Sequence, residues 1–162
     1  MSNRLALLLL TAALAGCGAP VEPSDSFIAM ARDFEGFEQW EKISLPGVGG
    51  DDAHVSADRT IYVNKRAPAG ATEWPKGTIL VKVLPFDTFA MVKRAGGYNM
   101  NGAHGWEWFD LVKGTNGELI IKWRGLGPPV GESYNKAGQT CNACHSTNVA
   151  NDSVMTPALA LQ

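Results

Sequence analysis

Two thiols and an imidazole stand together in the run Cys141-Asn142-Ala143-Cys144-His145. In an exported chain, C-x-x-C-H is the spacing that lets two thiols add to the vinyl groups of a haem while the adjacent imidazole reaches the iron from one face. On this reading Cys141 and Cys144 are the covalent tethers of one c-type haem, and His145 is the axial iron ligand. Other uses of the same residues stay open. Two thiols at this spacing could form a redox dithiol. A disulfide between them would close too small a loop to stabilise much. A zinc site would need two more ligands, and the remaining histidines, His54 and His104, fall in distant glycine-rich loops where solvated surface is their expected place.

The third cysteine, Cys17, belongs to other chemistry. The opening "MSNRLALLLLTAALAGC" has one basic residue, Arg4, then an apolar run too short and too rich in small residues to make a good spanning helix. It reads as an export signal. Its end, Leu14-Ala15-Gly16-Cys17, resembles a bacterial lipobox, which implies that Cys17 carries lipid as the first mature residue. Gly18 follows it, and the resemblance leans toward the outer membrane. The expected organisation is a lipoprotein signal peptide at 1–16, a tether at 17–25 and one haem domain at 26–162 on the periplasmic side. A chain of 162 residues with a formal charge of −2 and no basic block fits one domain and no nucleic-acid partner.

The elements that must position the motif are mostly strands. "TIYVNK" alternates, "GTILVKVL" is β-branched and continuous, and "WEWFDLVK" and "ELIIKWRG" flank Gly114-Thr115-Asn116-Gly117, a hairpin signal. Before them, Phe27, Ala31, Phe34, Phe37 and Trp40 recur at helical spacing. After "GLGPPVG", a helix is expected from about Asn135 to Thr147, carrying the haem motif. The expected class is α+β: a small antiparallel sheet domain with an N-terminal helix and a C-terminal haem-bearing helix. The loop "RAGGYNMNGAHG" lacks the strand–turn–helix context of a nucleotide fingerprint. Trp106 and Trp108 share one strand face and suit a core or a dimer interface. Arg124, after the last strand, could pair a haem propionate.

The segments "TIYVNKRA…WPKGTILVKVL", "MVKRAGGYNMNGAHGWEWFDL" and "CNACHSTNVANDSVMT" together resemble the cytochrome P-460 and cytochrome c′-beta family, from about Phe27 to Thr156. The resemblance implies a small antiparallel haem protein, often dimeric, with five-coordinate iron whose open face binds nitric oxide or a related nitrogen species. In the hydroxylamine-oxidising members a lysine after the Pro-x-Gly turn is bonded to the porphyrin, and it falls on Lys82 of "PKGTILVK". Strand parity sets Lys82 with Leu80 and Leu84, against Ile79, Val81 and Val83 on the other face, so a charged side chain intrudes on an apolar surface. Snorkelling past its neighbours, or guarding a sheet edge, would equally explain it.

Those enzymes also use a distal glutamate, and here Phe89 or Ala90 takes its place. Asp87 is the nearest carboxylate and a candidate base. Phe86, Phe89 and Met91 form the candidate distal wall, which resembles the gas-binding side of the family; plain core would also account for them. Two rival functions follow. A hydroxylamine-oxidising enzyme needs the Lys82–haem bond and a base. An electron carrier, with an unknown redox partner, needs a sixth ligand. Met155 follows His145 too closely in the chain to reach the opposite haem face, which leaves Met91 or Met100.

Overall fold

The computed structural model describes residues 25–49, 56–94, 97–132 and 140–162. Cys17, His54, the signal and tether segments, and the expected helical residues 135–139 lie outside them. The strands are β1 (Glu41–Leu45), β2 (Arg59–Val63), β3 (Ile79–Val83), β4 (Thr88–Lys93), β5 (Trp106–Lys113) and β6 (Leu119–Gly125). They form one antiparallel six-stranded sheet in chain order, so each strand pairs with its sequence neighbour. The β5–β6 hairpin closes where the sequence signals it: Gly114 N–H donates to Glu118 O at 2.8 Å, and Gly117 turns at φ +84°, a conformation open to glycine.

Both sheet faces are apolar and both are covered. One face presents Ile79, Val81, Ala90, Val92, Phe109 and Leu111, capped by Ala29, Phe34 and Phe37. Edge-to-face contacts of 5.1 Å, Phe34 on Phe109 and Phe37 on Tyr62, join the cap to the sheet. The expected N-terminal helix is corrected here. Its apolar residues do face the sheet, but they ride on two short 3-10 turns, Ala31–Phe34 and Phe37–Gln39. Glu35 is extended and Gly36 is left-handed at φ +67°, which stops a helix between the two phenylalanines.

The opposite face carries Ile61, Val63, Leu80, Met91, Trp106, Trp108 and Trp123. Against it pack the 97–105 loop, the C-terminal tail through Val154 and Leu159, and a five-residue helix α1 (Cys141–His145). Thr140 caps α1, its hydroxyl accepting from Ala143 N–H at 3.2 Å. The helix ends at His145, two residues sooner than expected. Among the described residues no helix is long and apolar enough to cross a membrane.

Candidate functional site

Sheet register lines up the side chains beneath α1. One row across the face reads Ile61, Lys82, Phe89, Asp110 and Trp123, each the direct cross-strand partner of the next. The row beside it reads Val63, Leu80, Met91 and Trp108. The motif sits on this surface. Cys141 packs against the same cluster, and the His145 ring meets Trp108 edge-on at 5.5 Å between centroids. Lys82, whose Nζ stands 5.9 Å from the Phe89 ring centre, lies close enough for its charge to act on both Cys141 and His145. Lys82, Phe89 and Met91 therefore share the face of the Cys-His motif.

The helix is docked by its own intervening residue. Asn142 Oδ1 accepts from Ala103 N–H at 2.8 Å and from Asn99 Nδ2 at 2.7 Å, while Asn142 N–H donates to Leu126 O at 3.0 Å. Gly102 makes this possible, since a Cβ there would overlap the Asn142 amide. The glycine-rich loop thus holds the motif helix. His104, within that loop, is exposed with its ring against Met100.

His145 Nδ1 lies 2.8 Å from Ser153 O. A carbonyl only accepts, so Nδ1 carries the proton and Nε2 keeps the free lone pair. Burial holds the imidazole below its ordinary pKa, the Ser153 bond opposes this, and the Lys82 charge adds to the lowering. The turn supplying that carbonyl is strained: Asp152 and Ser153 are both left-handed, at φ +44° and +67°, at a cost of roughly 1–2 kcal/mol per residue. Cys141 is pushed up to about 11 by burial, with the Lys82 charge partly offsetting it.

Three expectations change. Phe86 is 96% exposed at the β3–β4 turn and cannot wall a pocket. Ala90 faces the N-terminal cap, so of the two residues at the glutamate position only Phe89 reaches the motif face. Arg124 also lies on the cap face, where its Nε and Nη2 hold Glu107 at 2.8 and 2.6 Å and its Nη1 reaches Ala29 O. Its charge is already matched there, which removes it as a propionate partner.

A carboxylate overlooked in the sequence joins Asp87 as a candidate base. Asp110, 8% exposed, is paired directly across from Phe89. The parity of Trp106, Trp108 and Asp110 was the available signal. A β-bulge completes the arrangement: Leu111 pairs with Ile121, yet Asp110 pairs with Trp123, so Lys122 is the extra residue. Its Nζ comes within 3.6 Å of Asp110 and bonds Glu132 at 2.7 Å. Burial raises the Asp110 pKa, Lys122 opposes the rise, and the charges of Asp87 and Glu132 add to it.

A carboxyl whose folded pKa lies above its unfolded value loses stability as pH climbs between the two. The penalty is absent below the unfolded value of about 3.9 and complete above the folded one. Asp110→Asn should therefore raise stability at neutral pH and leave it unchanged in strong acid, as read by urea unfolding across pH. A less stable variant at neutral pH would show that Asp110 is held for the fold.

No family model, curated protein or solved structure matches this chain.

Proposed function

We propose that Cys141 and Cys144 carry one c-type haem through thioethers, with His145 as the axial ligand on a C-terminal haem-bearing helix, and that the open side of the ferrous iron binds nitric oxide or a related small nitrogen species. The reading places the chain with the cytochrome P-460 and cytochrome c′-beta family it resembles. The observation that carries it is the convergence of the motif with Lys82, Phe89 and Met91 on one sheet face.

The residues present fit a haem. His145 offers Nε2 as a lone pair because Nδ1 is occupied by Ser153 O. Among the described residues the buried Nε1–H of Trp108 has no acceptor, and a haem carboxylate or a ligand would supply one. The rival chemistries fit less well. A redox dithiol needs a depressed thiol pKa, and burial drives Cys141 the other way. Among the described residues no three His, Cys, Asp or Glu side chains gather to hold a bare metal ion.

The haem would supply an iron coordination position and a one-electron couple. Phe89 and Met91 would exclude water, since an unpaired polar ligand among apolar side chains costs on the order of 1–3 kcal/mol and a neutral diatomic escapes that cost. Asp110 favours a second reading, hydroxylamine oxidation, in which its carboxylate would accept the substrate proton. That reading also needs the Lys82 amine bonded to the haem edge. An electron carrier is favoured less: Met100 and Met155 are exposed, and Met91 is packed in the core. Lipid on Cys17 would hold the domain at the periplasmic side of the membrane.

The ferrous absorption spectrum of the full chain, made with c-type maturation, separates these readings. We expect an unshifted high-spin spectrum, conversion by nitric oxide and carbon monoxide, and weak hydroxylamine turnover. The intact mass should include one haem, and diacylglycerol on Cys17. A strongly red-shifted Soret band with brisk turnover lost in Asp110→Asn would make the protein an enzyme. Sharp low-spin bands unchanged by either gas would make it an electron carrier.

A further inference from the structure

Behind His145 lies a buried ion pair that the haem reading does not use. Lys93, on β4, is 3% exposed, and its Nζ donates to both carboxylate oxygens of Asp152 at 2.8 and 2.7 Å and to His104 O at 2.9 Å. The same ammonium stands 5.4 Å from the Trp106 ring centre, with Glu73 at 3.8 Å on the solvent side. Asp152 is also gripped elsewhere: its Oδ2 accepts from Trp74 N–H, and its backbone carbonyl accepts from Trp106 Nε1–H, both at 2.8 Å. The sheet thus holds this one residue at three atoms. Asp152 opens the left-handed pair whose next member, Ser153, bonds His145. A conformation that side-chain-bearing residues rarely adopt persists only where its surroundings over-determine it.

We propose that the Lys93–Asp152 pair is a positioning device for His145: by pinning the Asp152–Ser153 turn to β4 and β5, it fixes the Ser153 carbonyl, and through it the His145 ring, with Nε2 free to face a ligand. The proposal rests on His145 being the axial ligand. The sequence separation explains why no short motif betrays it, since the pair spans 59 residues.

A simple stability role predicts that losing the pair lowers the melting temperature and leaves the imidazole alone. Positioning predicts a change of tautomer. The test is therefore a long-range proton–nitrogen correlation spectrum of the histidines in the haem-free full chain, at a pH where the rings are neutral. The parent should show His145 as a single Nδ1–H tautomer. Lys93→Met should give a mixture dominated by the Nε2–H form preferred by free imidazole. Should that variant not fold, Lys93→Met with Asp152→Asn, which leaves no buried unpaired charge, takes its place and should give the same mixture. In the haem-loaded ferrous protein the iron–histidine stretch should then broaden and move to lower frequency. A folded variant that keeps the single Nδ1–H tautomer overturns the proposal, whatever its melting temperature. A haem-loaded parent with no iron–histidine band, alongside the expected tautomer change, would instead refute the axial role of His145 and leave the positioning device standing.

Discussion

Cys141→Ala combined with Cys144→Ala should release all of its haem into acid acetone, whereas the unmodified chain, produced with c-type maturation, should keep its pigment through denaturation. The effect is all or none because the two states differ by covalent bonds. Coordination by His145 alone is reversed by acid, which protonates the imidazole. A thioether survives both acid and unfolding. The single variants resolve the parts. Cys144→Ala, which removes the more exposed of the two thiols, should leave at most one thioether, visible as a haemochrome band shifted toward that of a haem with one vinyl group intact. His145→Ala should keep the covalent pigment and lose the axial bond. Complete extraction of haem from the unmodified chain would refute the c-type assignment.

Glu107→Ala should destabilise the fold by about 3–5 kcal/mol, the range for removing one partner of a buried ion pair. Glu107 is 3% exposed and lies on the capped face, away from the motif. Its carboxylate holds Arg124 at 2.6 and 2.8 Å and approaches Arg94 at 3.5 Å. Arg124 stacks on Phe109 and Arg94 on Tyr98, so truncation removes the buried carboxylate that faces both guanidinium groups. The exposed pair Glu41–Arg66, bonded at 2.6 Å, is the control. There Arg66, chiefly by hydrogen bonding, holds the Glu41 carboxyl below its usual range, yet Glu41→Ala should cost no more than about 1 kcal/mol, because water and salt screen surface pairs. Urea midpoints of the two variants measure the contrast. Equal shifts would mean that Glu107 is solvated in the native protein. The Glu107 variant should still acquire covalent haem wherever it folds, since its face does not carry the motif.

Much of the scaffold is local and was legible in residue order. Alternation marked β2, a continuous β-branched run marked β3, Asn116-Gly117 marked the β5–β6 hairpin, and the parity of Lys82 with Leu80 told which face it shares, while β1 and β4 went unread. These are properties of pleat and turn, set within a few residues. The chemistry proposed for Cys141, Cys144 and His145 rests likewise on their spacing. The N-terminal stripe gave the buried face correctly and the element wrongly. Phe34 and Phe37 are neighbours on a helix and also across two 3-10 turns, and only the backbone at Gly36 distinguishes the two.

What surrounds the motif was decided by register between distant segments. Asp110 becomes a candidate base because β4 sets it opposite Phe89. The bulge at Lys122 reverses strand parity, so that Ile121 meets the cap while Trp123 meets the motif face, a switch invisible to any alternation rule. Phe86 reads as apolar in the sequence and is left in solvent by the tight β3–β4 turn. Arg124 is claimed by a glutamate on the neighbouring strand, and Lys93 by an aspartate far along the chain. In each case the partner of a charge, or the side of a sheet, is a pairwise property of strands brought together on folding. A residue's own type and near neighbours carry no record of it.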